Sequence, residues 1–175
     1  MKRTGFTLVE LMIVVVVLGI LAAIAIVSFR KQGNSAKAAE VPGMFAEIKR
    51  AQLAFQAENG YFLSTAAAET TVYPVLLATG EPKKKKWDPA ANSAWANLGV
   101  RPPDSWVYCG YSSIAGAANV APGGTYGKNI YGNVTPQTQW FYVVAVCNLN
   151  ASVATDTVYV SSHDRETTVK YNDGD

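Results

Sequence analysis

The chain has 175 residues, 49% of them hydrophobic and 16% charged, with a formal net charge of +2. That composition supports a membrane-anchored, exported single domain, since about 145 residues remain after an apolar N-terminal run. The near-neutral balance excludes a general electrostatic binder of nucleic acid.

The chain opens with two basic residues, Lys2 and Arg3, and after Glu10 carries no charge until Arg30. The run Leu11–Phe29, LMIVVVVLGILAAIAIVSF, is long enough to cross a bilayer as a helix, which takes about 20 apolar residues. It is too long for the apolar core of a secretory signal peptide, about 7–15 residues. Cutting at the AxA-like stretch around Leu21–Ala25 would instead release a secreted protein, and that is the competing reading. The basic start favours a cytoplasmic N-terminus, with the residues from Arg30 on across the membrane. Glu10 stands alone among apolar residues. A carboxylate costs roughly 2.5–3.5 kcal/mol at the bilayer centre and less near the interface. It therefore needs a partner, or must snorkel to the headgroups.

Gly5-Phe6-Thr7-Leu8-Val9-Glu10-Leu11 resembles the prepilin signature shared by type IV pilins and type II secretion pseudopilins, and the likeness continues through Met12–Val15 and Leu18–Ala25. The resemblance implies a leader of residues 1–5, cut after Gly5 by a prepilin peptidase that also N-methylates Phe6. It implies that Glu10 pairs with the Phe6 amine of a neighbouring subunit in a homo-oligomeric helical filament. An assembly platform and ATPase would act as partners. The subunit would sit in the inner membrane with its head on the periplasmic side, then enter an extracellular pilus serving adhesion and twitching motility. The pairing has a physical logic. A lone carboxylate and a lone ammonium are each costly in a low-dielectric bundle, and bringing them together in one axial register removes both penalties. Without Lys2 and Arg3 the mature side chains would balance at 13 basic against 13 acidic, which permits dense self-packing. One departure concerns the proline that many pilins carry in the second half of the span. Val27 takes its place here, in Ala25-Ile26-Val27. Valine lowers helix propensity only slightly, which leaves unwinding between Gly19 and Val27 open.

The implied fold is α+β: a long N-terminal helix, membrane-spanning in its first half, packed on a C-terminal antiparallel sheet of three to four strands. Residues 6–29 would form the filament-core helix and 30–175 the head. The head would comprise an amphipathic helix to about 60, a connecting loop at about 61–104 and the sheet at about 105–171. The residues themselves support this division. Met44, Phe45, Ile48, Ala51 and Phe55 recur at helical spacing, with Glu47, Arg50 and Glu58 opposite. Pro42-Gly43 predicts a kink or short break, and Asn59-Gly60 a C-terminus. Trp95 and Leu98 fit a short helix over 94–98. Strands are expected at 105–112, 139–147, 157–162 and 167–171, with 139–147 central, as a meander whose one face covers the helix stripe. A loop holding Gly116, Pro122, Gly123, Gly124 and Gly127 is expected between the first two.

Cys109 and Cys147 are the only cysteines. In an exported domain the oxidised pair is favoured, and the resemblance agrees, since many pilins carry a disulfide in this half. Two buried thiols are the alternative. Lys83, Lys84, Lys85 and Lys86 beside Trp87 could hold DNA phosphates with an aromatic to stack on a base, as a DNA-uptake pilin would. A solvated loop flanked by Glu81 and Asp88 is the blander and favoured reading of that run. The stretch from Asn148 to Asp156 occupies the place of the calcium loop of some pseudopilins, but asparagines stand where carboxylates are wanted. His163 has no nucleophile beside it that would make a triad and reads as structural. No enzyme, cofactor or metal site is expected. A periplasmic secretion pseudopilin is the alternative to a pilus subunit.

Overall fold

A computed structural model describes residues 7–76, 83–149 and 156–172. The chain divides into an N-terminal helical unit ending at Ala36 and a head beginning at Lys37. Helix α1 (Leu8–Ala38) is continuous past Gly19 and Val27, and Ala39 alone separates it from α2 (Glu40–Asn59). Pro42 explains where the break falls. Its nitrogen has no hydrogen to give the Ala38 carbonyl, and its ring crowds that carbonyl. Pro42 therefore sits in the first turn of α2, where a missing N–H is harmless, and the break lies one turn before the expected Pro42-Gly43.

Within the head, α2 buries Val41, Met44, Phe45, Ile48, Ala51 and Gln52. Gln52 is polar on that apolar face because its amide is fully used. Nε2 donates to the Leu63 carbonyl (2.5 Å) and Ser113 Oγ (2.9 Å), and Oε1 accepts the Leu63 N–H at 3.0 Å. The helix ends as expected, with Gly60 at φ 82° and its N–H on the Gln56 carbonyl. Such a left-handed terminus favours glycine because no Cβ is there to clash.

The sheet is an antiparallel meander, β3 (Cys109–Gly116), β4 (Trp140–Cys147), β5 (Thr157–Ser162) and β6 (Val169–Tyr171), paired in that order. Strand β4 is internal and apolar on both faces. Phe141, Val143 and Ala145 join the α2 core, whereas Trp140, Tyr142 and Val144 pack with Ile130, Val158 and Val160. The second face is covered as well as the first, by α4 (Thr125–Tyr131), which forms inside the segment expected to be a loop. The outer edge of β3 is covered too. Thr65 N–H donates to the Ser113 carbonyl, and Tyr73 exchanges backbone bonds with Tyr111, all at 2.8 Å. That leaves β3 no free template for pairing with another chain.

The strand expected at 105–112 is interrupted at Tyr108. The N–H groups of Tyr108 and Cys109 turn to Glu40 Oε1 (2.8 and 2.9 Å), which also accepts the Tyr111 hydroxyl at 3.0 Å. Burial pushes the Glu40 carboxyl above its ordinary range, against the pull of those donors. The residues before the break, β2 (Trp106–Val107), pair instead with β1 (Lys85–Lys86). The short helix α3 (Ser93–Leu98) forms where expected and is capped by Asn92, whose Oδ1 accepts the Ala94 N–H at 3.1 Å.

Cys109 and Cys147 are bonded, and they face each other across β3 and β4 with Cα atoms 4.3 Å apart. That is the close spacing of a non-hydrogen-bonded antiparallel pair, and both residues are fully buried. The bridge spans 38 residues of sequence. Replacing both cysteines by alanine is therefore expected to cost about 4 kcal/mol by the chain-entropy account. Urea unfolding of the purified chain in detergent, followed by tryptophan fluorescence, measures it.

Candidate functional site

Every described side chain from Leu8 to Phe29 is exposed in the subunit, and this helix alone among the described residues is long and apolar enough to cross a membrane. Because the apolar residues lie on all sides rather than on one stripe, the surface can be covered only by lipid or by other helices. Glu10 is the one charge in that stretch, and the structure shows how it is held. Thr7 precedes the first helical residue, and Glu10 is the third residue of the helix. The Glu10 N–H donates to Thr7 Oγ1 at 3.3 Å. In return, Glu10 Oε2 accepts the Thr7 N–H at 3.0 Å and the Thr7 hydroxyl at 2.8 Å. This reciprocal arrangement is a capping box, which satisfies donors that a helix start otherwise leaves orphaned.

In the head, Lys83–Lys86 is not a free basic loop. Lys85 and Lys86 form β1, and Lys84 pairs with Asp104 while lying 5.6 Å from the centre of the Tyr108 ring. The alternative in which Trp87 stacks on a base does not fit its burial. Trp87 is 4% exposed, its ring lies 5.1 Å from that of Trp95, and its Nε1–H donates to the Val100 carbonyl at 2.9 Å. A core side chain bound in this way has no face to offer a base. His163 is structural: its Nδ1 lies 3.0 Å from the Tyr131 hydroxyl, and its ring packs against Phe62 and Phe141. The stretch where a calcium loop was weighed falls largely on residues 150–155, outside the described residues. Asp156, at its end, has its carboxyl pushed up by burial.

A family model described as the prokaryotic N-terminal methylation motif matches residues 1–26. A type II secretion system core protein G from Pseudomonas aeruginosa is 33% identical over 87 residues, which is 50% of this chain and 60% of that protein. Both findings make the chain similar to the type IV pilin-like, or prepilin, family. It spans about three-fifths of the length of the curated relative it matches, and no solved structure matches it.

Gly5 and Phe6, the expected cleavage point, lie outside the described residues. Glu10 is brought together with Thr7, which sequence reasoning passed over. The signal was present, since Thr7-Leu8-Val9-Glu10 before an apolar run is the capping-box pattern. The disulfide Cys109–Cys147, the buried Trp87 and the paired Lys84 all belong to the head.

Proposed function

We propose that this chain is the structural, non-enzymatic subunit of a type IV pilus. Residues 6–29 hold it in the inner membrane with the head on the periplasmic side until an assembly platform and ATPase draw it into the filament. The leader is cut after Gly5, Phe6 is N-methylated, and Glu10 pairs with the Phe6 amine of a neighbour. The reading is carried by one observation: a single carboxylate, held at the start of a helix whose described side chains from Leu8 to Phe29 are exposed. A charge in that position is expensive unless a neighbouring chain supplies a counter-charge. As a surface fibre the filament serves attachment and twitching motility.

A second reading, a short periplasmic pseudopilus, is favoured by the relative, whose name places it in a type II secretion system. Against it stands the stretch from Asn148 to Asp156, which offers a single carboxylate to a cation that prefers several. A DNA-uptake pilin loses support with the burial of Trp87.

Intact mass of the protein sheared from the cell surface tests these readings together. The expected mass lacks Met1–Gly5, carries one added methyl group and is short of two hydrogens for the Cys109–Cys147 bridge. Processed protein found only in the membrane fraction would favour the pseudopilus. A mass that still includes Met1–Gly5 in every fraction would end the assembly reading.

A further inference from the structure

We propose that the β1–β2 ribbon docks the head on anionic phospholipid headgroups of the membrane that holds the chain, an inference that rests on residues 6–29 sitting in that membrane. The register gives the ribbon two faces. Lys85 stands opposite Val107, and Lys86 opposite Trp106. Opposed residues of an antiparallel pair share a face, and successive pairs alternate. Val107 is buried in the core, so Lys86 and Trp106 belong to the outer face. Lys84, two residues before Lys86, lies over the Tyr108 ring, 5.6 Å from its centre. The ribbon therefore turns lysines and aromatic rings outward together. Trp106 is the exception among the tryptophans. Trp87, Trp95 and Trp140 are at most 4% exposed, whereas Trp106 is 48% exposed. It also walls an open apolar hollow of about 270 Å³ with Met44, Pro102, Pro103 and Val107.

An exposed indole beside lysines suits a bilayer surface. The ring sits at headgroup level, while lysines lay their stems on apolar surface and hold their ammonium groups toward phosphate. The two carboxylates at the hollow are already engaged, Glu40 by Tyr108, Cys109 and Tyr111, and Asp104 by Lys84. Lys83 and Lys86 are exposed and lie in no ion pair among the described residues. Two observations favour lipid over another polyanion. The hollow is apolar, as the level beneath the headgroups is and a phosphodiester backbone is not. The tether is also short. Ten residues separate Phe29, the last of the apolar run, from Glu40 at the hollow, and even fully extended they reach no more than about 40 Å. The ribbon is thus held at high effective concentration near the headgroups, where a weak attraction suffices. Such docking holds the head down while the subunit waits in the membrane and is given up when the chain is drawn out.

The test uses the full chain reconstituted into vesicles of phosphatidylcholine alone or mixed equally with phosphatidylglycerol, each with a nitroxide on a small share of headgroups. Quenching of tryptophan fluorescence reports an indole at headgroup level, and Trp106→Phe gives the background of the buried tryptophans. The Trp106 share of the quenching is expected to be about threefold stronger in the anionic vesicles. It should fall to the neutral level in about 1 M salt, where the Debye length is about 3 Å, and equally when Lys83→Gln and Lys86→Gln are combined at low salt. The salt series is read on the native chain, so it stands even if a variant fails to fold. Quenching no stronger in anionic than in neutral vesicles, or unmoved by salt and by the double substitution, would overturn the proposal. So would its removal by a single-stranded oligonucleotide at equal phosphate concentration, which would assign the ribbon to nucleic acid. Flotation with the neutral vesicles checks the parent reading separately: a chain that does not float is not held by residues 6–29, and both readings then fall.

Discussion

Replacing Glu69 by alanine is expected to destabilise the head by about 3–4 kcal/mol, the consequence of stranding buried donors that a charged acceptor had satisfied. Glu69 lies in the connecting loop and is 9% exposed. Its Oε1 accepts the N–H groups of Thr125 and Tyr126 at 2.6 and 3.1 Å. Its Oε2 accepts those of Tyr126 and Gly127 and the Tyr142 hydroxyl, at 3.1, 3.3 and 3.1 Å. One carboxylate thus caps the start of α4 and ties it to the sheet. Burial, reinforced by that neighbouring carboxylate, pushes the Tyr142 hydroxyl well above the usual phenol range, so it remains a donor at any ordinary pH. Gly124 is shaped to the same contact. At φ +75° it takes a backbone conformation that other residues resist, and a Cβ there would lie 2.2 Å from Glu69 Oε2. Glu69→Gln is a sharper variant, because it keeps the shape while turning one acceptor into a donor among donors. Urea unfolding in detergent gives the magnitude, and limited proteolysis reports where the loss begins. Early cutting within residues 117–139 is the expected pattern. Unchanged stability and an uncut α4 would show that the helix is held by its packing alone.

These contacts also explain which parts of the fold could be read from the sequence. The long helices were legible because their signals are local and repeated over many turns, as with Met44, Phe45, Ile48 and Ala51 on one face of α2. Strand β4 was legible because Trp140–Cys147 is almost wholly apolar, as a strand covered on both faces must be. Helix α4 was not, since its seven residues carry no capping side chain of their own and their cap comes from a carboxylate 56 residues earlier. The lysine strand β1 was hidden for a similar reason. Nothing in Lys85-Lys86 suggests a strand, and its partner β2 is separated from β3 only because Glu40, 68 residues before Tyr108, takes the backbone donors there. Trp87 was misplaced by its neighbours. It follows a charged run, yet its ring closes the core between Tyr73, Trp95 and Tyr111. At the candidate site Glu10 was legible because an isolated charge in an apolar run is conspicuous. Thr7 was equally local, but its role emerges only when its hydroxyl is seen on both ends of Glu10.

Glu10→Gln is expected to leave the head folded and the helix start capped, yet to reduce assembly more than a hundredfold. The amide oxygen of a glutamine can still accept from the Thr7 N–H and hydroxyl, so the capping box survives in neutral form. What is lost is the negative charge. On the proposed reading the neighbour's Phe6 ammonium is then buried in the helix bundle without a counter-charge. Removing one member of a buried ion pair costs about 3–5 kcal/mol, and about 2.7 kcal/mol already corresponds to a hundredfold in an equilibrium. The comparison with Glu69 makes the assignment specific. Among the described residues Glu10 hydrogen-bonds only with Thr7, so its substitution removes no hydrogen bond of the described head, whereas a Glu69 substitution lowers the stability of the head through α4. Unfolding midpoints and cross-linked multimer yields, measured on the same two variants, should therefore move in opposite columns. A Glu10→Gln chain that forms multimers like the native one would mean that the carboxylate serves only to cap its own helix. The polymer would then have to be held by apolar helix packing alone.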